Sequence, residues 1–189
     1  MPTDPDFDAM YAADPDPWDV ATSWYERRKL AVLLAALPRE RYATAWEPGS
    51  GPGITTRALA DRVDLMVASD SSAVAVRMAE ERCADLGHVE VRRSTLPDVP
   101  LAKPVELVVV AEFLYYLPDR AAALDALWGA AVPGGHLAFM HWLHLPDDAH
   151  LSGARMQDEV AADARRRDAR RLVHHLDADF RLDVYEVPA

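Results

Sequence analysis

Apolar positions along the chain switch repeatedly between two periods. Leu30, Leu33, Leu34 and Leu37 recur at the spacing of one helical face until Pro38, and Ser23-Trp24-Tyr25-Glu26 just ahead of them has the form of a capping box. From there, short apolar runs alternate with helical patterns. Thr44 to Glu47, Leu65 to Ser69, Val89 to Arg92, Leu107 to Ala111 and His136 to His141 read as strands. Four segments between and after them read as helices: Ile54 to about Asp61, a stretch capped by Ser71 and running to Gly87, one opened by Asp119 through Leu124, Leu127 and Trp128, and residues 152 to about 169. Leu107-Val108-Val109-Val110-Ala111 has the unbroken apolar character of a central parallel strand buried on both faces. Arg171 to Leu176 and Phe180 to Val187, joined by Asp177-Ala178-Asp179, read as a closing antiparallel hairpin. The alternation predicts a doubly wound α/β fold with a mostly parallel, seven-stranded sheet and ligands outside the carboxyl ends of its strands.

Residues 1–21 are rich in Asp and Pro and are not expected to form regular structure. They carry Phe7, Tyr11 and Trp18, which are bulky for a loose tail, so the segment reads as a strap laid over a site. At 189 residues, half of them hydrophobic, the chain is expected to be one domain with a real core. No apolar run is long enough for a membrane span, and the acidic start Pro2-Thr3-Asp4-Pro5-Asp6 lacks the basic region of a signal peptide, so a cytoplasmic protein is expected. The single Cys83 has no partner for an internal disulfide and reads as helix packing. A formal charge of −11 opposes nucleic acid as a partner. The local exception, Arg165-Arg166-Arg167 with Arg170-Arg171, is interrupted by Asp168 and reads as a solvated helix face.

The chemistry concentrates in Ala45-Trp46-Glu47-Pro48-Gly49-Ser50-Gly51-Pro52-Gly53-Ile54. Glycines at 49, 51 and 53 let a backbone turn tightly after a strand and approach a ligand closely. Asp70 follows Gly49 by 21 positions (70 − 49), where the tip of a second strand offers a carboxylate to ribose hydroxyls. Glu47 discriminates among adenosine-bearing cofactors. A carboxylate beside the first glycine repels a pyrophosphate but suits a sulfonium with an α-ammonium group, which favours S-adenosylmethionine over NAD.

Taken together, Glu47-Pro48-Gly49-x-Gly51-x-Gly53, Asp70, Ala111-Glu112-x-x-Tyr115-Tyr116-Leu117 and Pro133-Gly134-Gly135 resemble a class I S-adenosylmethionine-dependent methyltransferase, with a Rossmann-like fold, over almost the whole chain. Asp14-Pro15-Asp16-Pro17-Trp18, Tyr25-Glu26-Arg27-Arg28-Lys29 and His141-Trp142-x-His144 resemble the nodulation protein S group, which methylates the amine of a glucosamine-based oligosaccharide. The resemblance implies that Glu47 and the backbone of Gly49, Ser50, Gly51 and Gly53 hold the methionine part of the cofactor, and Asp70 the ribose. Ser71 either assists there or serves only as a helix cap. Thr95 and Leu96 are placed around adenine, or form an ordinary turn. Trp18, Tyr25 and Arg28 cover the cofactor, Arg28 by pairing with its carboxylate, or else belong to a helix docked on the sheet.

Methyl transfer is an in-line displacement at an already activated carbon, so it asks mainly for alignment and exclusion of water. An ammonium acceptor must also lose a proton. Glu112 and His141, at the tips of the fourth and fifth strands, are the candidates for that role. Their plain alternatives are a helical-turn cap and a packing histidine. Tyr115 and Tyr116 could wall a cation. Trp142 and His144 could contact substrate, His150 is too remote to assign, and of His174 and His175 at most one faces the core. Pro146 breaks any helix that would align His144 with Asp147 and Asp148, so no metal is expected. The expected reaction is N-methylation of a small polar acceptor such as an amino sugar, with S-adenosylhomocysteine as product. An O-methyltransferase using His141, or a degenerate fold kept as a cofactor-binding partner, are the alternatives. With no inserted substrate domain, a neighbouring subunit in a homodimer would be one source of further substrate contacts.

Overall fold

The computed structural model describes residues 5–149 and 151–189; Met1 to Asp4 of the strap and His150 lie outside the described residues. Strands β1 (Tyr42–Pro48), β2 (Val63–Asp70), β3 (Val89–Arg93), β4 (Val105–Ala111), β5 (Ala131–Trp142), β6 (Arg170–Leu176) and β7 (Phe180–Glu186) form one sheet in the order β3-β2-β1-β4-β5-β7-β6. The first five pair in parallel, and β7 runs antiparallel to both β5 and β6. The doubly wound, mostly parallel seven-stranded sheet and its terminal hairpin are therefore as the alternation of patterns predicts. From β1 the chain winds outward through β2 and β3 and then returns to β4 on the other side, leaving a switch point at the carboxyl ends of β1 and β4.

Successive side chains of a strand point to opposite faces, and β4 supplies both halves of the core. Leu107 and Val109 pack with Leu33 of α2 (Trp24–Ala36), with Leu37 just past its end, and with Leu59 of α3 (Ile54–Ala60). Val108 and Val110 pack with Leu124 and Leu127 of α5 (Arg120–Gly129) and Met156 and Val160 of α6 (Gly153–Arg166). Helix α4 (Ala73–Arg82) covers β2 and β3. The basic run at the end of α6 meets carboxylates: Asp163 receives Arg166 and Arg167, Arg167 also reaches Asp125, and Arg170 pairs with Glu186. No helix among the described residues is long and apolar enough to cross a membrane.

Three local expectations need correction. The strap is not irregular throughout: it contains α1 (Phe7–Ala13), started by Asp6, whose carboxylate accepts from the Ala9 amide at 3.0 Å. The cap of α4 is Ser72 rather than Ser71, with its hydroxyl accepting from Ala75 N at 3.1 Å. At the start of α2, Ser23 accepts from the Tyr25 amide as a cap should, but Glu26 turns to Lys29 (2.8 Å) instead of closing the capping box.

Candidate active site

A cavity of about 460 Å³ opens at the switch point, floored by the carboxyl ends of β1, β2 and β4 and roofed by the strap. Gly49, Gly51 and Gly53 all adopt positive φ (64°, 52° and 79°). A Cβ at Gly49 would sit 2.5 Å from the Phe113 ring, and one at Gly51 would sit 2.8 Å from the Tyr11 hydroxyl, so the strap lies directly on the glycine turn. Gly53 is not in the wall; it is the left-handed cap residue of α3. Ser50 presents a buried hydroxyl with no hydrogen-bond partner among the described residues.

Glu47, only 2 % exposed, receives the Thr56 hydroxyl at 2.6 Å and among the described residues pairs with no cation. Burial pushes its carboxyl up to about 8, against the Thr56 hydrogen bond and with help from Asp70. The group is thus held largely neutral near pH 7. Asp70 accepts from the amides of Gly51 and Ser72, both at 2.9 Å, which fixes its carboxylate at the tip of β2; burial still leaves it above the ordinary range. Ser71, Thr95 and Leu96 stand where the sequence places them, in the cavity wall, as does Trp18.

The strap is latched by two contacts that sequence reasoning missed. Asp8 accepts from the Ser72 hydroxyl (2.6 Å) and the Val74 amide (3.2 Å), adding an acid to the N-terminal turn of α4. Phe7 meets Tyr116 edge-on at 5.3 Å; within the strap itself, Tyr11 meets Trp18 at 5.7 Å.

On the opposite wall, Glu112 adopts φ 63°, an unusual conformation for a residue with a Cβ. Three donors hold its carboxylate: Lys29 Nζ at 2.7 Å, and the Tyr115 hydroxyl and Trp142 amide, each at 2.8 Å. Burial works to raise its pKa, but Lys29, with smaller help from His141, brings it below the ordinary value. Lys29 is 3 % exposed and also reaches Glu26. It is the cation of this wall, in place of Arg28. Arg28 does not line the cavity; its guanidinium pairs with Asp177 and lies over Phe180, away from the place where the sequence puts it beside the cofactor. The signal for Lys29 was present: Glu26 and Lys29 fall on the same helical stripe as Leu33 and Leu37, where charge is out of place unless paired.

His141 also requires correction. It is fully buried, does not line the cavity, packs its ring 5.6 Å from Tyr115, and has neither ring nitrogen partnered among the described residues. Burial pushes its pKa down to about 4, Lys29 adding to the effect and Glu112 opposing it, so it is a neutral packing group behind the cavity wall. His144 is exposed, pairs with Asp179 at 3.0 Å and stands outside the wall, although the Trp142 ring against it lies inside. Tyr115 and Tyr116 are both buried and both line the cavity, edge to face at 4.8 Å. His174 pairs with Asp183 and His175 stacks on Phe180, far from the glycine turn in the fold's last hairpin.

The charge of the wall is one-sided. Among the described residues it carries the acidic side chains of Asp19, Glu26, Glu47, Asp70, Asp98 and Glu112, and a single cation, Lys29, already shared between two of them.

The sequence profile of the family described as "Methyltransferase domain" matches residues 46–139, the span from the glycine turn through β5. A solved structure from Pseudomonas syringae, described as a methyltransferase, is 38 % identical, covering 87 % of this chain and 99 % of that one with a TM-score of 0.73. The chain belongs to the class I S-adenosylmethionine-dependent methyltransferases. Within them it is similar to the N-methyltransferase NodS from Bradyrhizobium japonicum WM9, solved in complex with S-adenosyl-L-homocysteine: 25 % identity, all of both chains covered, TM-score 0.84. It is also 33 % identical over 120 residues to trans-aconitate 2-methyltransferase from Azoarcus sp. (strain BH72), covering 62 % of this chain and 46 % of that protein. The chain spans about half the length of the curated relatives it matches.

Proposed function

We propose that the protein transfers a methyl group from S-adenosylmethionine to the nitrogen of a small amine-bearing acceptor. The cavity fits that cofactor on its own terms. A neutralised, unpaired Glu47 and an orphaned Ser50 hydroxyl at the glycine turn await a cationic, hydrogen-bonding group, and Asp70 is anchored for a diol. Glu47 and the turn would hold the methionine part, Asp70 the ribose, and Thr95 and Leu96 the adenine side, beneath Trp18 and Tyr11. When bound, the cofactor supplies a methyl carbon on a sulfonium, which a nitrogen lone pair can displace. The protein's own contribution is alignment and the exclusion of water by the strap.

The observation that carries the choice of acceptor is a wall of six acidic side chains whose one cation among the described residues, Lys29, is already held by Glu26 and Glu112. A polycarboxylate such as trans-aconitate would need positive groups that this wall lacks, whereas an ammonium is attracted to it and to the faces of the tyrosines. Incubation with methyl-labelled cofactor and either aminated sugars, hydroxylated sugars or trans-aconitate tests this. Label is expected in the aminated set. Label entering only the hydroxylated or carboxylate acceptors overturns the amine assignment, and failure to bind S-adenosylhomocysteine overturns the whole reading.

A further inference from the structure

Two carboxylates share Lys29, and their surroundings differ. On Glu112, Oε1 receives Lys29, and Oε2 receives both the Tyr115 hydroxyl and the Trp142 amide. On Glu26, Oε1 receives Lys29 at 2.8 Å, and among the described residues no donor holds the other oxygen, although the side chain is mostly buried in the cavity wall. One cation between two anions leaves the cluster one charge short of neutral, in a place with little water to screen it. A second cation is the natural complement.

Building on the methyltransferase reading, we propose that Glu26, not Glu112 or His141, binds the acceptor's ammonium group and takes its proton through the oxygen that no protein donor occupies. The N–H bond breaks with its electron pair left on nitrogen as the lone pair that methylation uses. The proton rests on Glu26 and passes to water after the product leaves. Glu112 is the positioning residue: fully hydrogen-bonded, it holds Lys29 and Tyr115 in place. The charges around Glu26 agree with this division. Burial raises its pKa most, and Glu112 from the end of β4 and Asp16 from the strap add to that, while Lys29 on its own helix opposes them; the Tyr25 and Tyr115 hydroxyls stay neutral nearby. Glu112 is shifted the other way. A pair of acids pushed apart in this manner separates the proton acceptor from the permanently ionised partner.

The test compares the wild type with Glu26→Gln, using D-glucosamine, tyramine and 1,4-diaminobutane as probe amines and S-adenosylhomocysteine affinity as the measure of an intact cofactor site. Glu26→Gln is expected to bind S-adenosylhomocysteine within about threefold of wild type but to methylate the best probe about a hundredfold more slowly at pH 7. Its rate should recover toward wild type as the pH rises and the free amine sheds its own proton. A merely structural role would depress the rate equally at every pH, and that result, or an unimpaired variant at pH 7, overturns the proposal. If the wild type binds S-adenosylhomocysteine yet methylates none of the three amines, the amine assignment and Glu26's role fall while the methyltransferase reading stands. Absence of S-adenosylhomocysteine binding brings down the parent reading itself.

Discussion

Replacing Glu47 with glutamine separates the electrostatic function of the glycine turn from its shape. The substitution keeps the volume and a partner for the Thr56 hydroxyl but removes the titration. With the carboxyl pushed up to about 8 in the folded protein, roughly a tenth of it is ionised at pH 7. If the anion is the form that holds the cofactor's α-ammonium, apparent affinity for S-adenosylhomocysteine is reduced by that fraction and tightens about tenfold per pH unit from pH 5 up to 8. Stability shifts in the opposite sense. A folded-state pKa raised above the ordinary 4.5 means the folded chain retains a proton the unfolded chain has lost, so stability from this group is complete below about 4.5 and is lost as pH rises toward 8. At about 1.4 kcal/mol per unit, unliganded wild type should lose about 2 to 3 kcal/mol from pH 5 to 7 relative to Glu47→Gln. Urea denaturation of both proteins at the two pH values measures this, because the other titrating groups cancel in the difference. Calorimetric titration with S-adenosylhomocysteine over the same range should show a steep pH dependence for wild type and a flat, weaker one for the variant. Parallel stability profiles, together with an unchanged slope of affinity, would refute the reasoning.

Gly49→Ala forces a Cβ to φ 64° and to 2.5 Å from the Phe113 ring; a loss of about 1 to 3 kcal/mol in urea denaturation is expected, eased in part by Phe113→Ala, which relieves the clash but not the backbone strain. Lys29→Met leaves Glu26 and Glu112 facing one another unpaired, so thermal unfolding should show a loss of about 3 to 5 kcal/mol near neutral pH and a smaller one at pH 4 to 5, where the carboxylates can protonate. Asp8→Ala unfastens α1 from α4, so limited proteolysis should cut the strap faster and S-adenosylhomocysteine should bind several-fold more weakly, with little change in the melting temperature of the remainder. Arg28→Ala should leave S-adenosylhomocysteine affinity within about twofold, since its guanidinium is committed to Asp177; a loss beyond tenfold would return Arg28 to the cofactor.

The parts of this protein legible in its sequence are those fixed by local periodicity. The unbroken apolar run of β4 requires helices on both faces, and once the strands alternate with helices the glycine turn, Glu47 and Asp70 fall at the switch point by topology alone. What stayed hidden was decided by direction rather than position. Arg28 and Lys29 are neighbours in the basic run Arg27-Arg28-Lys29, and about 100° of helical rotation sends one out to Asp177 and the other in to Glu112. His141 and Trp142 are neighbours too, but strand alternation buries the first against Tyr115 and turns the second into the cavity. Helix α1 is started by Asp6 from within the strap but is seated on Ser72 and Val74, more than sixty residues away, so its docking could not be read from the strap alone. The same logic assigns the chemistry. A carboxylate is open to a substrate only where at least one of its oxygens is left without a donor, and that condition, invisible in a linear list of acids, separates Glu26 from Glu112 within one ion-paired cluster.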